Sequence, residues 1–401
     1  MTFKPLTLAV AAASVFAMAA ASAQGTGPVR IGFITDMSGV YADIDGQGGG
    51  EAIKMAVADF GGKVLGRPIE VVTADHQNKA DIAASKAREW IDKGGVTAIF
   101  GGTNSGTAIA TAKIAGEKKR VYFNMGAGSS RLTNEECTPY TVHYAYDTVA
   151  LARVAGKAMI QRGDKNWYFL TADYAFGHSL EQDASEIVKS SGGKVVGSVR
   201  HPLGASDFSS FLLQAQSSGA NVLALANAGG DFVNSVKAAK EFGITKKMKL
   251  AGLLVFINDI HSLGLKDTAG LLVTDSWYWD QDAESRKFAQ RFFAKFKRMP
   301  SSIQAADYSA TLTYLNAVKA AGTDDADKVM EALRKTKIND LYTKGGTIRA
   351  DGKMLHDMYL MQVKSPSESK TPWDYYKQVA KFSGDQAYNS LAESKCPLVK
   401  K

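Results

Sequence analysis

The strongest constraint on this chain is an alternation that runs through most of it. An apolar run is followed by a loop of small residues, an amphipathic stretch and another apolar run. Residues 29–37 read as a buried strand, and 46–60 as a helix with Ile53, Ala56, Val57 and Phe60 on one stripe. Strands at 68–74, 96–100 and 121–125 then alternate with helices at 81–93 and 105–118. The pattern restarts with strands at 167–171, 194–199, 221–226 and 249–254, separated by helices at 176–190, 208–217 and 231–242. A strand at 271–277 and helices at 284–297, 304–321 and 326–335 complete it. Such alternation predicts an α/β fold, with parallel sheets covered by helices on both faces. The blocks at 30–145 and 147–277 predict two doubly wound lobes, and 401 residues suffice for two cores. Asp81 and Asp173 stand where helix caps belong.

The N-terminus addresses the compartment. Lys4 precedes an Ala-rich apolar run that ends in Ala21-Ser22-Ala23. This reads as a secretory signal peptide, residues 1–23, cleaved after Ala23. The run is shorter than a membrane span needs, and the expected mature chain is not inserted in a membrane. No Cys stands at the cleavage position, which excludes lipid attachment there.

Export permits a disulfide. Cys137 and Cys396 are the only two cysteines, so they pair with each other or remain two thiols, and the pairing is the expectation. Two Cys exclude a Cys-rich metal site, and six scattered His give no metal-ligating spacing, so no metal or other cofactor is expected. The formal charge is +8, but the basic residues are dispersed, which argues for solvated surface over a nucleic-acid partner.

In open α/β sheets ligands bind beyond the carboxyl ends of the strands. The loops there are rich in Gly, Ser, Asn and Tyr, and they hold neither a Ser/His/Asp set nor a close carboxylate pair. Gly101-Gly102-Thr103-Asn104-Ser105-Gly106 joins a strand to a helix start, where free N–H groups and the Ser105 hydroxyl suit a carboxylate. Asn104 or Ser105 would also cap that helix. Gly126-Ala127-Gly128-Ser129-Ser130 lets a ligand approach the backbone, and Tyr174 would cover it from the second block.

Read in order, several stretches resemble one family. They are Ile31-Gly32-Phe33, Asp36-Met37-Ser38-Gly39-Val40-Tyr41, Gly46-Gln47-Gly48, Gly62-Lys63-Val64-Leu65-Gly66-Arg67-Pro68-Ile69 and Ile99-Phe100-Gly101-Gly102. Thr171-Ala172-Asp173-Tyr174-Ala175-Phe176-Gly177 and Gln304-Ala305-Ala306-Asp307-Tyr308 extend the likeness over residues 28–365. Together they resemble the branched-chain amino-acid-type solute-binding proteins of ABC importers, the leucine-binding-protein family. The resemblance implies a type I periplasmic binding fold with two lobes joined by a three-segment hinge, crossing near 144–147, 276–278 and 349–351. It divides the chain into a first lobe of 28–145 and 278–350, a second of 146–277 and 351–380, and a tail of 381–401 expected to wrap one lobe. It implies a periplasmic monomer that closes on a small-molecule carboxylate and docks on permease subunits, and not an enzyme. A sensory protein of the same fold, feeding a signalling receptor, is the alternative.

The resemblance also assigns residues. Ser105, beside Asn104, would hold the ligand carboxylate. Ala127, Gly128 and Ser129 would meet an α-ammonium, and Tyr41 would wall the pocket. Tyr144 and Tyr174 would line it, with Asn227 and Ala228 in the next loop. One departure matters: the family's amino-acid binders place an acid after the strand at 249–254, and here Phe256 stands there. A buried ammonium without a partner is costly. The departure favours an aromatic acid over a branched-chain amino acid, unless Asp43, Asp231 or Asp259 takes the missing role.

Overall fold

In the computed structural model, which describes residues 27–400, the first block folds into a sheet of six strands. These are β1 (Val29–Thr35), β2 (Lys63–Val64), β3 (Arg67–Asp75), β4 (Val96–Gly101), β5 (Val121–Asn124) and β6 (Thr141–His143). Their order is β2-β3-β1-β4-β5-β6. All pairings are parallel except the short β2 against β3. The second block forms β7 (Asn166–Ala172), β8 (Lys194–His201), β9 (Val222–Ala226) and β10 (Lys249–Gly252), a parallel sheet in the order β10-β9-β7-β8. Both sheets are buried by helices on each face, so their central strands carry near-continuous apolar runs such as Val-Leu-Ala-Leu-Ala in β9.

The run at 271–277 departs from this plan. It forms β11 (Leu272–Asp275), and after β12 (Ile338–Asn339), β13 (Lys344–Ile348) and β14 (Met354–Leu355) the chain pairs it antiparallel with β15 (Met358–Val363). β15 in turn pairs with β16 (Tyr376–Phe382). This three-stranded sheet shares its core with the second lobe, through Val273, Met361, Val363 and Tyr376 packed with Leu223 and Phe232. The helix Ser302–Ala321, by contrast, lies against the helix Gly46–Phe60 of the first lobe. The chain therefore passes between the lobes after β6, after β11 and before β15.

Two caps differ from expectation. The helix Ala80–Asp92 is capped at Lys79 with no side-chain bond, and Asp81 sits one position inside, in the first turn, where its charge suits the dipole. The helix Ala175–Ser190 is capped at Tyr174, again with no side-chain bond, while Asp173 pairs with His178 and Arg200. Cys137 and Cys396 form a disulfide. Among the described residues no helix is long and apolar enough to cross a membrane. The signal-peptide segment lies outside the described residues.

Candidate functional site

The carboxyl ends of both parallel sheets face each other, and the loops that follow them meet. In the first lobe the loop after β1 is wound around Asp36. Its carboxylate accepts from the N–H groups of Ser38, Gly39 and Tyr41, and from Asn78 Nδ2. That fixes Tyr41, whose ring is buried. After β4 the chain turns through Gly101 and Gly102, with φ of 121° and 93°. A Cβ on Gly101 would stand 2.1 Å from the Ile34 carbonyl oxygen, so only glycine fits. The turn delivers Asn104, whose side chain accepts from the N–H groups of Gly106 and Thr107 and so caps the helix Ser105–Glu117. Ser105 is the first residue of that helix, and its Oγ accepts from Ser129 N at 3.1 Å.

The loop after β5 is held by Asn124, which bonds both the N–H and the carbonyl of Ala127. The carbonyls of residues 126–129 each accept a hydrogen bond. Gly126 accepts from the Tyr146 hydroxyl at 2.6 Å, Gly128 from Thr148 N at 2.8 Å, and Ser129 from Leu132 N at 3.2 Å.

The second lobe meets these loops directly. The Tyr174 and Tyr41 hydroxyls are 2.5 Å apart. Ser179 Oγ lies 2.7 Å from Ser129 Oγ, and Gly230 N donates to the Val40 carbonyl at 2.9 Å. Phe176 and Tyr146 lie so close to Gly128 that a Cβ there would stand 3.0 and 3.1 Å from their rings. Phe256 faces Tyr146 with ring centroids 6.1 Å apart. Asn227 bonds Ser235 and His201 through Nδ2, and Ala228 caps the helix Gly229–Glu241 in extended conformation. Three buried polar atoms near the carboxyl ends of this sheet have no hydrogen-bond partner: Thr171 Oγ1, Asn227 Oδ1 and Asn258 Oδ1.

The structure thus brings Tyr41, Asn104, Ser105, Ala127, Gly128 and Ser129 together with Tyr174, Asn227, Ala228 and Phe256. It does not bring Tyr144. The Tyr144 N–H still bonds the Asn124 carbonyl, extending the β6 ladder by one residue. Its side chain therefore stays in the first-lobe core, packed on Phe123, with its hydroxyl on Ser309 and Thr313. Tyr146, two residues on, stands in the cleft instead. Sequence reasoning missed Tyr146, Phe176 and Ser179. Phe176 and Ser179 recur at helical spacing next to Tyr174, a signal that was present.

Burial raises the titration of the hydroxyl and carboxyl groups that line the cleft. Burial, and then the neighbouring Tyr174, pushes the Tyr41 hydroxyl well above its ordinary range. Asp231 is buried beside this pair, accepts from Gly204 N, and is pushed up to about 6 by burial. Asp259 caps the Phe256 N–H and is pushed up to about 7 by burial. Asp43 is exposed and bonded to Arg298. Among the described residues no group of His, Cys, Asp and Glu has the arrangement of a metal site.

A two-lobed α/β molecule whose strand-end loops meet across a cleft defines the class of solute-binding proteins. The comparisons agree. Residues 28–370 match the periplasmic binding protein family, and the chain belongs to it. It is similar to a periplasmic binding protein of Burkholderia mallei, 68% identical, with 94% of this chain and 100% of that one covered and a TM-score of 0.93. A branched chain amino acid ABC transporter periplasmic ligand-binding protein of Burkholderia xenovorans LB400 is 40% identical, with 93% and 100% covered and a TM-score of 0.82. A solute binding protein of an ABC transporter from Rhodopseudomonas palustris HaA2, solved with p-hydroxybenzoic acid, is 25% identical, with 89% and 97% covered and a TM-score of 0.80.

Proposed function

We propose that this chain is the periplasmic receptor of an ABC importer. It captures a small carboxylate between its lobes and delivers it to the membrane permease, without turning it over. The exported chain would work as a monomer. The carboxylate would sit at the start of the helix Ser105–Glu117, held by the Ser105 and Ser129 hydroxyls and the helix dipole. Tyr41 and Tyr174 would close over it.

Within that class we infer an aromatic acid. The observation that carries this reading is the aromatic lining of the cleft, where Phe256 packs on Tyr146 and Tyr174 on Phe176. Phe256 stands where an acid would be, and Tyr41, Tyr146, Tyr174, Phe176 and Phe256 surround the cleft with rings. Thr171, Asn227 and Asn258 would supply polar partners for ring substituents. The relative solved with p-hydroxybenzoic acid is consistent with this chemistry. One observation favours the branched-chain amino acid instead: the Asp231 carboxyl lies near the tyrosine pair, where it would face an ammonium.

A thermal-shift panel of benzoates, hydroxycinnamates, aliphatic amino acids and short keto acids separates the two. A ligand at 100 times its Kd stabilises by about 2.7 kcal/mol. The aromatic reading predicts a shift with benzoates that persists in Asp231→Asn. A shift with leucine that disappears in Asp231→Asn would replace it with the amino-acid reading.

A further inference from the structure

We propose that residues 383–396 form a fourth covalent link between the lobes, a strap that limits how far they part. Three passages of the chain join the lobes. The C-terminal segment adds another, because its two ends are fixed on different lobes. It leaves β16, which belongs to the three-stranded sheet packed into the core of the second lobe. It runs through the short helix Gly384–Ala387 and the turn Leu391–Glu393. It ends at Cys396, bonded to Cys137 in the first lobe. Lys395 reinforces that end, its N–H donating to Asn134 Oδ1 at 2.8 Å.

Between its ends the strap lies on the crossing segments themselves. The Tyr388 hydroxyl reaches the Ala145 carbonyl and His356 Nε2, at 3.3 and 2.8 Å. Lys353 Nζ lies 4.9 Å from the centre of the Tyr388 ring and 3.1 Å from the Asp147 carboxylate. Arg349 donates to the Asn389 carbonyl at 2.5 Å. From the second lobe, Arg153 donates to the Tyr388 carbonyl and to Asn389 Oδ1, both at 2.7 Å. The strap therefore touches both lobes and the passages that bend when they move apart.

A cross-link acts by removing conformations in which its ends are far apart. Here the removed conformations are wide-open ones of a folded molecule. Apparent affinity scales with the fraction of molecules in the binding-competent form, so removing open forms raises that fraction. This consequence rests on the reading of a cleft that closes on ligand. The restriction of opening does not.

The test is small-angle scattering of the ligand-free mature chain, in the bridged form, after reduction with a phosphine, and as the Cys137→Ser/Cys396→Ser double variant. Circular dichroism confirms that each is folded. We expect a larger radius of gyration and a broader distance distribution in both unbridged forms. A several-fold weaker apparent Kd for p-hydroxybenzoate should accompany them. Superimposable scattering from folded bridged and unbridged forms would overturn the proposal. So would loss of folded circular dichroism in both unbridged forms, which would make the bridge a folding staple. Wider scattering with no binding of p-hydroxybenzoate in any form would leave the strap standing and count against the ligand reading alone.

Discussion

Asn104 and Ser105 divide one task between adjacent positions. Asn104 satisfies the N–H groups of Gly106 and Thr107, so the hydroxyl of Ser105 is not spent on capping. Ser105→Ala should therefore weaken carboxylate binding about ten- to hundred-fold, the range of a hydrogen bond to a charged group, and also lower the melting temperature, because the buried Ser129 N–H loses its acceptor. Calorimetric titration with p-hydroxybenzoate checks it, and unchanged affinity would remove Ser105 from the site. Asp259 offers a pH test. Burial holds its folded-state value near 7, above the ordinary 3.8. The folded chain therefore keeps this proton longer than the unfolded chain does, and the group costs stability as pH rises from about 4 through about 7. Asp259→Asn still accepts from the Phe256 N–H but cannot ionise. Its stability relative to the parent should improve by about 1 kcal/mol or more between pH 5 and pH 8. Parallel melting curves across that range would contradict the assignment. Ser105, Ser129, Tyr41 and Tyr174 were legible as candidates because loop residues after strands are positioned by the sheet. Tyr144 was not legible correctly, since nothing in the sequence marks where the β6 ladder ends.

At the scale of elements, the strand-to-helix turn after β4 is the most exacting piece of backbone. Gly101 and Gly102 take positive φ while the sheet holds Ile34 and Tyr122 against them. Gly101→Ala should cost roughly 2 kcal/mol or more and lower affinity with it, because the turn aims Ser105. Denaturant melts and titration together check this, and a stable variant with altered binding alone would not fit. Most helices and parallel strands could be read because periodicity and the small-residue loops agree. The helix Gly46–Phe60, for example, has the bounds its apolar stripe predicts. The antiparallel pairing of β11 with β15 could not, since it is set by a return of the chain after more than eighty residues. The caps at Lys79 and Tyr174 were missed for a related reason: neither uses a side-chain oxygen.

At the scale of the molecule, the hinge carries charge into the interior. Lys353 and Asp147 are buried and paired, beside Arg349 and Asp351 at 2.5 Å. Lys353→Met would leave Asp147 without its partner and should destabilise by about 3–5 kcal/mol, read as a fall in the denaturation midpoint. A loss below about 1 kcal/mol would mean that the pair contributes little to the joint. The two lobes could be anticipated from the repeated block, and the bridge from a count of two cysteines in a chain whose N-terminus reads as a signal peptide. That the tail reaches both lobes could not, because its route depends on Tyr388, Arg153 and Arg349 meeting in space. The proposed function requires that the lobes close on a carboxylate that carries no ammonium. Isothermal titration of the mature chain with p-hydroxybenzoate and, separately, with leucine tests it most directly. One saturable site for the aromatic acid and no heat from leucine are expected. Tight binding of leucine with none of p-hydroxybenzoate would contradict it.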